Sequence, residues 1–302
     1  MSLSHSATYT VIRQTLISHS GLTIQYSEQH RTPLDRKQVL LVLGSSLYYP
    51  RCIPDDIKSR FRVVFLDLPH FTQPDPSFSL DNINLAFYLS LIGEACETLS
   101  LQKVVLVGHS HHGNVALEFA KHEPRRVAGL VMIGSPPANV SATQAAQEHY
   151  WQAQATPARK SALASGRERF EHGAESLFSE QERYISAYVH DAPLYWFDKH
   201  YNAAHLWEGM NFSMQAVSAF RTFFEDYHFS AQSLDIPILV VMGRYDFAVP
   251  HVLWDEHKKA TKRLSYHVLD KSGHTPSLEE SDAFSQLLTH WLAQNSLAKQ
   301  IR

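Results

Sequence analysis

An α/β architecture is the fold class the sequence predicts: a mostly parallel central sheet with helices on both faces, and a helical cap inserted between two strands. Three observations predict it. Short, wholly apolar runs recur along the chain, helix-like stretches separate them, and one long aromatic-rich interval contains no such run.

Tyr9–Ile17 and Leu22–Tyr26 read as a strand pair around a Ser20-Gly21 turn, since β-branched residues suit a pleated surface. Arg31–Lys37, with Pro33, reads as a polar loop. Val39–Leu43 is apolar at every position, as a strand covered on both faces must be. Val63–Leu66, Val104–Val107, Val127–Ile133 and Ile236–Met242 repeat the type, and Tyr266–Leu269 is a weaker sixth. Leu80–Leu99 sets Ile83, Leu85, Phe87, Leu91, Ile92 and Ala95 on one broad face, which predicts a helix. Asn114–His122, closed by Pro124, and Ser277–Leu297 are two further helices. Between Pro136 and Ser233 no strand run appears, and aromatics such as Trp151, Tyr188, Trp196, Trp207 and Phe224 are dense. That interval is too long for a loop. The expected division is a core of residues 1–135 and 234–302, with a helical cap at 136–233.

Composition narrows the function. The 302 residues carry 27 Lys plus Arg against 30 Asp plus Glu, a formal charge of −3, so a nucleic-acid partner is not expected. No run of about 18 apolar residues occurs, so no membrane span is expected. The first 14 residues lack a basic stretch followed by an apolar one, so no secretory leader is expected. Two cysteines cannot build a disulfide framework, which makes a reducing cytoplasm the default location. There are 19 histidines, and the question is which of them do chemistry.

Val104–Gly108, His109, Ser110, His111, His112 and Gly113 read as strand, sharp turn and helix, with Ser110 at the apex. The His111 N–H lies at the new helix N-terminus, where backbone N–H groups favour developing negative charge. Further on, Gly243-Arg-Tyr-Asp246 sets an acid just past a strand end, and Ser272-Gly273-His274 sets a base in the loop after the last strand. Each of the three alone has an ordinary structural alternative: a plain turn serine, a turn-capping aspartate, a surface histidine.

Taken together, these motifs resemble the α/β-hydrolase superfamily, over about residues 10–295. The resemblance implies Ser110 as nucleophile, His274 as general base and Asp246 as the acid that fixes the imidazole, in the family's chain order. It also implies an oxyanion hole from the His111 N–H and the Ser45 N–H, with Ser46 as fallback, in Leu43-Gly44-Ser45-Ser46-Leu47. Three positions depart from the family pattern. His112 stands where the elbow's last glycine belongs, the histidine usual before Gly44 is missing, and His70 replaces a glycine in Asp67-Leu68-Pro69-His70-Phe71, which is read as a structural turn. No cofactor is implied. A metal site is not expected either, because His109, His111 and His112 are adjacent and should point apart.

The flanks of Asp246 and His274, and Leu206-Trp207-Glu208-Gly209 in the cap, are similar to a lidded subgroup, proline iminopeptidase-like or carboxylesterase-like. The leading expectation is a serine hydrolase of a small ester or amide. The first alternative is a prolyl aminopeptidase, whose ammonium-bearing substrate would need carboxylates such as Glu208 or Glu225, with Glu182 a weaker candidate; these read equally as solvated charges. The second is a receptor-like or weakly catalytic ligand-binding protein of the same fold. Trp207 either lines the substrate pocket or packs the cap on the sheet.

Overall fold

The computed structural model describes residues 10–17, 22–30, 38–72, 78–79, 83–172 and 178–297. Among them, eight strands form one sheet: β1 (Thr10–Ile17), β2 (Thr23–His30), β3 (Val39–Gly44), β4 (Arg62–Asp67), β5 (Val104–His109), β6 (Val127–Ile133), β7 (Ile238–Gly243) and β8 (Leu264–Leu269). Their spatial order is β1-β2-β4-β3-β5-β6-β7-β8. β2 runs antiparallel to β1 and β4, and the other neighbours are parallel. Every strand expected from the sequence is present. β2 runs four residues past Tyr26 because β1 and β4 flank it, and Glu28 there pairs with Arg62 at 2.8 Å. The Ser20-Gly21 turn and the Arg31–Lys37 loop lie outside the described residues.

The apolar runs are continuous because both faces of the sheet are covered. Alternate residues leave each strand on opposite sides. Leu41, Leu43, Leu106, Met132 and Val240 join one core layer, with Leu91 and Val115 from the helices. Leu40, Val42, Val107, Ile133 and Val241 join the other, with Ile57, Phe284 and Leu288. Burying such a leucine or isoleucine fully is worth roughly 1.5–3 kcal/mol. β8 is an edge strand and stays half-exposed, which is why its apolar signal is weak.

The helices are α1 (Tyr49–Cys52), α2 (Asp55–Arg60), α3 (Leu85–Thr98), α4 (His111–His122), α5 (Val140–Gln154), α6 (Pro157–His172), α7 (Glu180–His190), α8 (Ala192–Tyr195), α9 (Met214–Thr222), α10 (His257–Ala260), α11 (Pro276–Glu279) and α12 (Ser281–Gln294). Three sequence boundaries need correction. α3 starts at Leu85, where Asn84 caps it by accepting the Phe87 N–H, not at Leu80. α4 starts three residues before Asn114, directly after Ser110. The stretch from Ser277 to Leu297 is two helices, broken at Glu280 (φ −123°, ψ 58°), whose carboxylate accepts the Lys271 N–H and the Ser272 hydroxyl.

Between β6 and β7 the described residues form helices and loops and no strand. This region is stitched to the sheet by backbone bonds, Phe247 N–H to Leu194 O at 3.0 Å and His274 N–H to Tyr195 O at 2.5 Å. Cys52 and Cys96 are both free and buried. No helix of the described residues is long and apolar enough to cross a membrane.

Candidate active site

Parallel pairing places the chemistry. Leu43 is level with Gly108, His109 with Ile133, and Ile133 with Val241, so the carboxyl ends of β3, β5, β6 and β7 abut at one rim. Ser110 turns the chain there with φ 55° and ψ −136°, a left-handed conformation that costs a non-glycine residue energy. The turn is tight on both sides: a Cβ at Gly108 would strike the His112 and Gly113 backbone, and one at Gly113 would strike the Ser135 side chain. The close contact therefore falls on Gly113, one residue after the expected glycine, which is what frees position 112 for a large side chain.

His274 sits against this turn. Its ring meets the His109 ring at a centroid distance of 4.6 Å, and Gly134, next to the Ile133 carbonyl that accepts the Ser110 N–H, packs against it. His274 Nδ1 lies 2.7 Å from Asp246 Oδ2, and Asp246 is fully buried. The other carboxylate oxygen accepts the Ala248 and Val249 N–H groups at 3.0 and 2.7 Å. An aspartate held by these donors fixes Nδ1–H on His274 and leaves Nε2 as a lone pair.

The loop after β3 is braced from below. The Ser46 N–H donates to Asp67 Oδ1 at 2.5 Å, and the Ser27 hydroxyl donates to the Ser46 carbonyl at 2.9 Å. Asp67 is thus a loop brace, and Ser46 has spent its N–H. The Ser45 side chain accepts the Leu47 and Tyr48 N–H groups. The His111 ring stacks on Phe224 at 4.3 Å and 14°. Burial first, then the charge of His274, lowers His111 to a pKa of about 4.

The family model for the alpha/beta hydrolase fold matches residues 42–281, a span that contains all of these loops. The chain belongs to the α/β-hydrolase family. A relative in Bacillus subtilis (strain 168), the AB hydrolase superfamily protein YclE, is 30% identical over 264 residues, which cover 84% of this chain and 92% of that one. A Pseudomonas putida protein, 2-hydroxy-6-oxononadienedioate/2-hydroxy-6-oxononatrienedioate hydrolase 2, is 23% identical and covers 77% of each chain. Among solved structures, the meta-cleavage product hydrolase CumD from Pseudomonas fluorescens IP01 superposes with a TM-score of 0.63 at 17% identity, covering 93% of this chain and 97% of that one.

Within this α/β hydrolase, two departures from the family pattern explain each other. His112 and His70 are stacked at 5.2 Å and 17°, with their Nε2 atoms 3.0 Å apart. The expectation that adjacent elbow histidines point apart needs correction: His109 and His112 both reach the Tyr49 hydroxyl, at 3.3 and 2.7 Å, and His111 alone turns away. Among the described residues no group of three or more His, Cys, Asp or Glu is arranged to hold a metal ion.

Trp207 is half-buried among Tyr48, Tyr184, Tyr188 and Phe212, at 5.1, 6.0, 5.4 and 5.9 Å. Tyr188 continues this aromatic wall to Tyr195 at 4.5 Å, and Tyr195 touches His274 at 5.8 Å. The Glu208 side chain is exposed, and its backbone carbonyl accepts from Arg51 at 2.8 Å. A cavity of about 660 Å³, lined in part by Ala162, Arg169, His190 and Lys199, shares no residue with the Ser110 rim.

Sequence reading missed Tyr49, Arg221 and Glu279. Glu279 is a half-buried carboxylate beside the His274 loop that accepts N–H groups from Gly273, Thr275 and Phe197. Burial pushes its pKa up to about 7, against those bonds.

Proposed function

We propose that this hydrolase cleaves a small ester or amide through an acyl-enzyme, with Ser110 as nucleophile, His274 as general base and Asp246 as its orienting acid. The buried His274–Asp246 contact at 2.7 Å, beside the strained Ser110 turn, is the observation that carries the reading. In this scheme Ser110 Oγ attacks the substrate carbonyl carbon while its proton passes to His274 Nε2. The oxyanion is held by the His111 and Ser45 N–H groups. The bond to the leaving group then breaks, His274 returns the proton to the leaving oxygen or nitrogen, and water releases the acyl group by the same steps. Residues 136–233 serve as the cap over this site, with Trp207 in its aromatic wall. A cytoplasmic location is part of this proposal, and the two free cysteines support it.

The acyl part of the substrate is read as apolar or anionic. The wall from Trp207 to Tyr195 favours apolar matter. The exposed Arg221 guanidinium acts on His111, Tyr184 and Tyr195, opposing the burial that raises the two tyrosines. A cation there welcomes a carboxylate and repels an ammonium, in line with the dioates named for the Pseudomonas putida relative. Glu182, Glu208 and Glu225 are all exposed, which gives an aminopeptidase's ammonium no buried partner among them.

A fluorophosphonate probe should label wild-type protein at Ser110 and leave Ser110→Ala untouched. A panel of neutral p-nitrophenyl esters, a carboxylate-bearing ester and proline p-nitroanilide should show ester turnover and no anilide cleavage. Absence of a Ser110 adduct would reject the serine mechanism and favour a ligand-binding role.

A further inference from the structure

The two histidines that replace family glycines belong to a longer assembly. Tyr88 Oη lies 2.8 Å from His70 Nδ1, His70 Nε2 lies 3.0 Å from His112 Nε2, and His112 Nδ1 lies 2.7 Å from Tyr49 Oη. The Tyr49 hydroxyl reaches His109 Nδ1 at 3.3 Å, and His109 Nε2 lies 2.8 Å from the carbonyl oxygen of His274. All five side chains are buried.

Proton counting sets the direction of this chain. A carbonyl only accepts, so His109 carries its proton on Nε2, and its Nδ1 must accept from Tyr49. The hydroxyl has a single proton, so the Tyr49 oxygen accepts from His112, which places that proton on Nδ1. His112 Nε2 then accepts from His70 Nε2–H, and His70 Nδ1 accepts the Tyr88 proton. The opposite order would leave His109 Nδ1 as a buried acceptor without a donor. The count requires neutral rings. Burial, with no carboxylate among the charges acting on them, lowers His70 and His109 to about 3 and His112 well below the usual value.

We propose that Tyr88, His70, His112, Tyr49 and His109 form one unidirectional hydrogen-bond chain that ends on the His274 carbonyl, and that His70 and His112 act through it as positioning residues for the base. The kinetic half of this inference rests on the serine-hydrolase reading above, and the structural half does not. The chain takes over the bracing lost with the usual histidine before Gly44. His274 is then held at its ring by the acid and at its backbone by His109.

Histidine-selective ¹⁵N NMR on the wild-type protein at neutral pH should show neutral rings, protonated on Nε2 at His70, on Nδ1 at His112 and on Nε2 at His109. An Nε2–H tautomer or a charged ring at His112 would overturn the chain. Tyr49→Phe keeps the ring and removes the linking hydroxyl. It should lower kcat on a p-nitrophenyl ester by about 10- to 100-fold through misplacement of the base, with KM within about twofold. His112→Gly, which restores the family residue, should lose rate similarly and regain part of it with added imidazole, which a packing defect alone would not do. Full kcat in Tyr49→Phe, or no imidazole rescue in a folded His112→Gly, would overturn the positioning role. A wild-type protein that takes no fluorophosphonate label would instead reject the serine reading, and the tautomers would then decide the chain by themselves.

Discussion

Around the Ser110 turn lie histidines that are similarly buried and chemically opposite. His274 is 5% exposed, and His70, His109 and His112 are 3%, 8% and 8% exposed. Burial therefore does not distinguish them. Partners do: His274 faces the Asp246 carboxylate, whereas the other three face hydroxyls, a carbonyl and each other. A carboxylate compensates an imidazolium for lost hydration, and neutral partners cannot. In the proposed mechanism one ring therefore cycles a proton, and the other three direct hydrogen bonds. A high histidine count by itself says nothing about proton chemistry.

Replacing the partner that makes the difference should give the largest effect. Asp246→Asn keeps the shape but offers an amide to Nδ1, which stabilises the wrong tautomer and removes the compensating charge. Ester kcat should fall by about 10⁴-fold with a nearly unchanged melting midpoint. Steady-state kinetics with circular-dichroism melting checks this, and a loss under tenfold would mean that the carboxylate does not set His274 apart.

The neutral rings make a second, thermodynamic prediction. His70, His109 and His111 have folded values near 3, 3 and 4, and His112 lies well below 6.5, while each ring titrates at 6.5 when free. Their contribution is fully present above 6.5 and is lost as pH falls toward the folded values, because the unfolded chain binds four protons that the folded chain refuses. Glu279 opposes them: at about 7 against 4.5 it keeps a proton in the folded state that the unfolded chain has released. The four histidines outnumber that one carboxyl, and burial also lowers His251, His257 and His267, so unfolding free energy should drop as pH falls from 6 to 5. Urea titrations at pH 6 and pH 5 measure it. His112→Gly should reduce the slope by about one proton, and an equal slope in both proteins would show that His112 is not held neutral.

The sheet was legible because a strand covered on both faces has an unmistakable apolar signature, as β3, β5 and β7 show. The positions of Ser110 and Asp246 were legible because each follows such a run with a turn residue beside it, and His274 because Gly273 precedes it after the weaker run of β8. α1 and α2, with 4 and 6 residues, are too short to display a helical period. The His70–His112 contact was illegible for another reason. The two residues are 42 positions apart, and their meeting depends on β3 lying between β4 and β5 in the sheet. Each alone looked like a local departure from a turn pattern. Glu279 gave no local signal, since a carboxylate at a short helix end looks solvated until three backbone N–H groups converge on it.

The smallest effect should come from the residue beside Trp207 that the sequence offered as an ammonium ligand. Glu208 follows Trp207 directly, yet its side chain is exposed, and only its backbone is used, by Arg51. Glu208→Gln leaves that carbonyl in place and removes a charge that water already screens. Ester kcat/KM should change by less than about twofold, as surface substitutions rarely exceed ~0.5 kcal/mol. The same variant assayed on proline p-nitroanilide is the sharper arm. If wild-type protein cleaves the anilide and Glu208→Gln loses tenfold or more, the carboxylate binds an ammonium. The same division would then extend into residues 136–233, with a second carboxylate–cation pair formed only when substrate arrives.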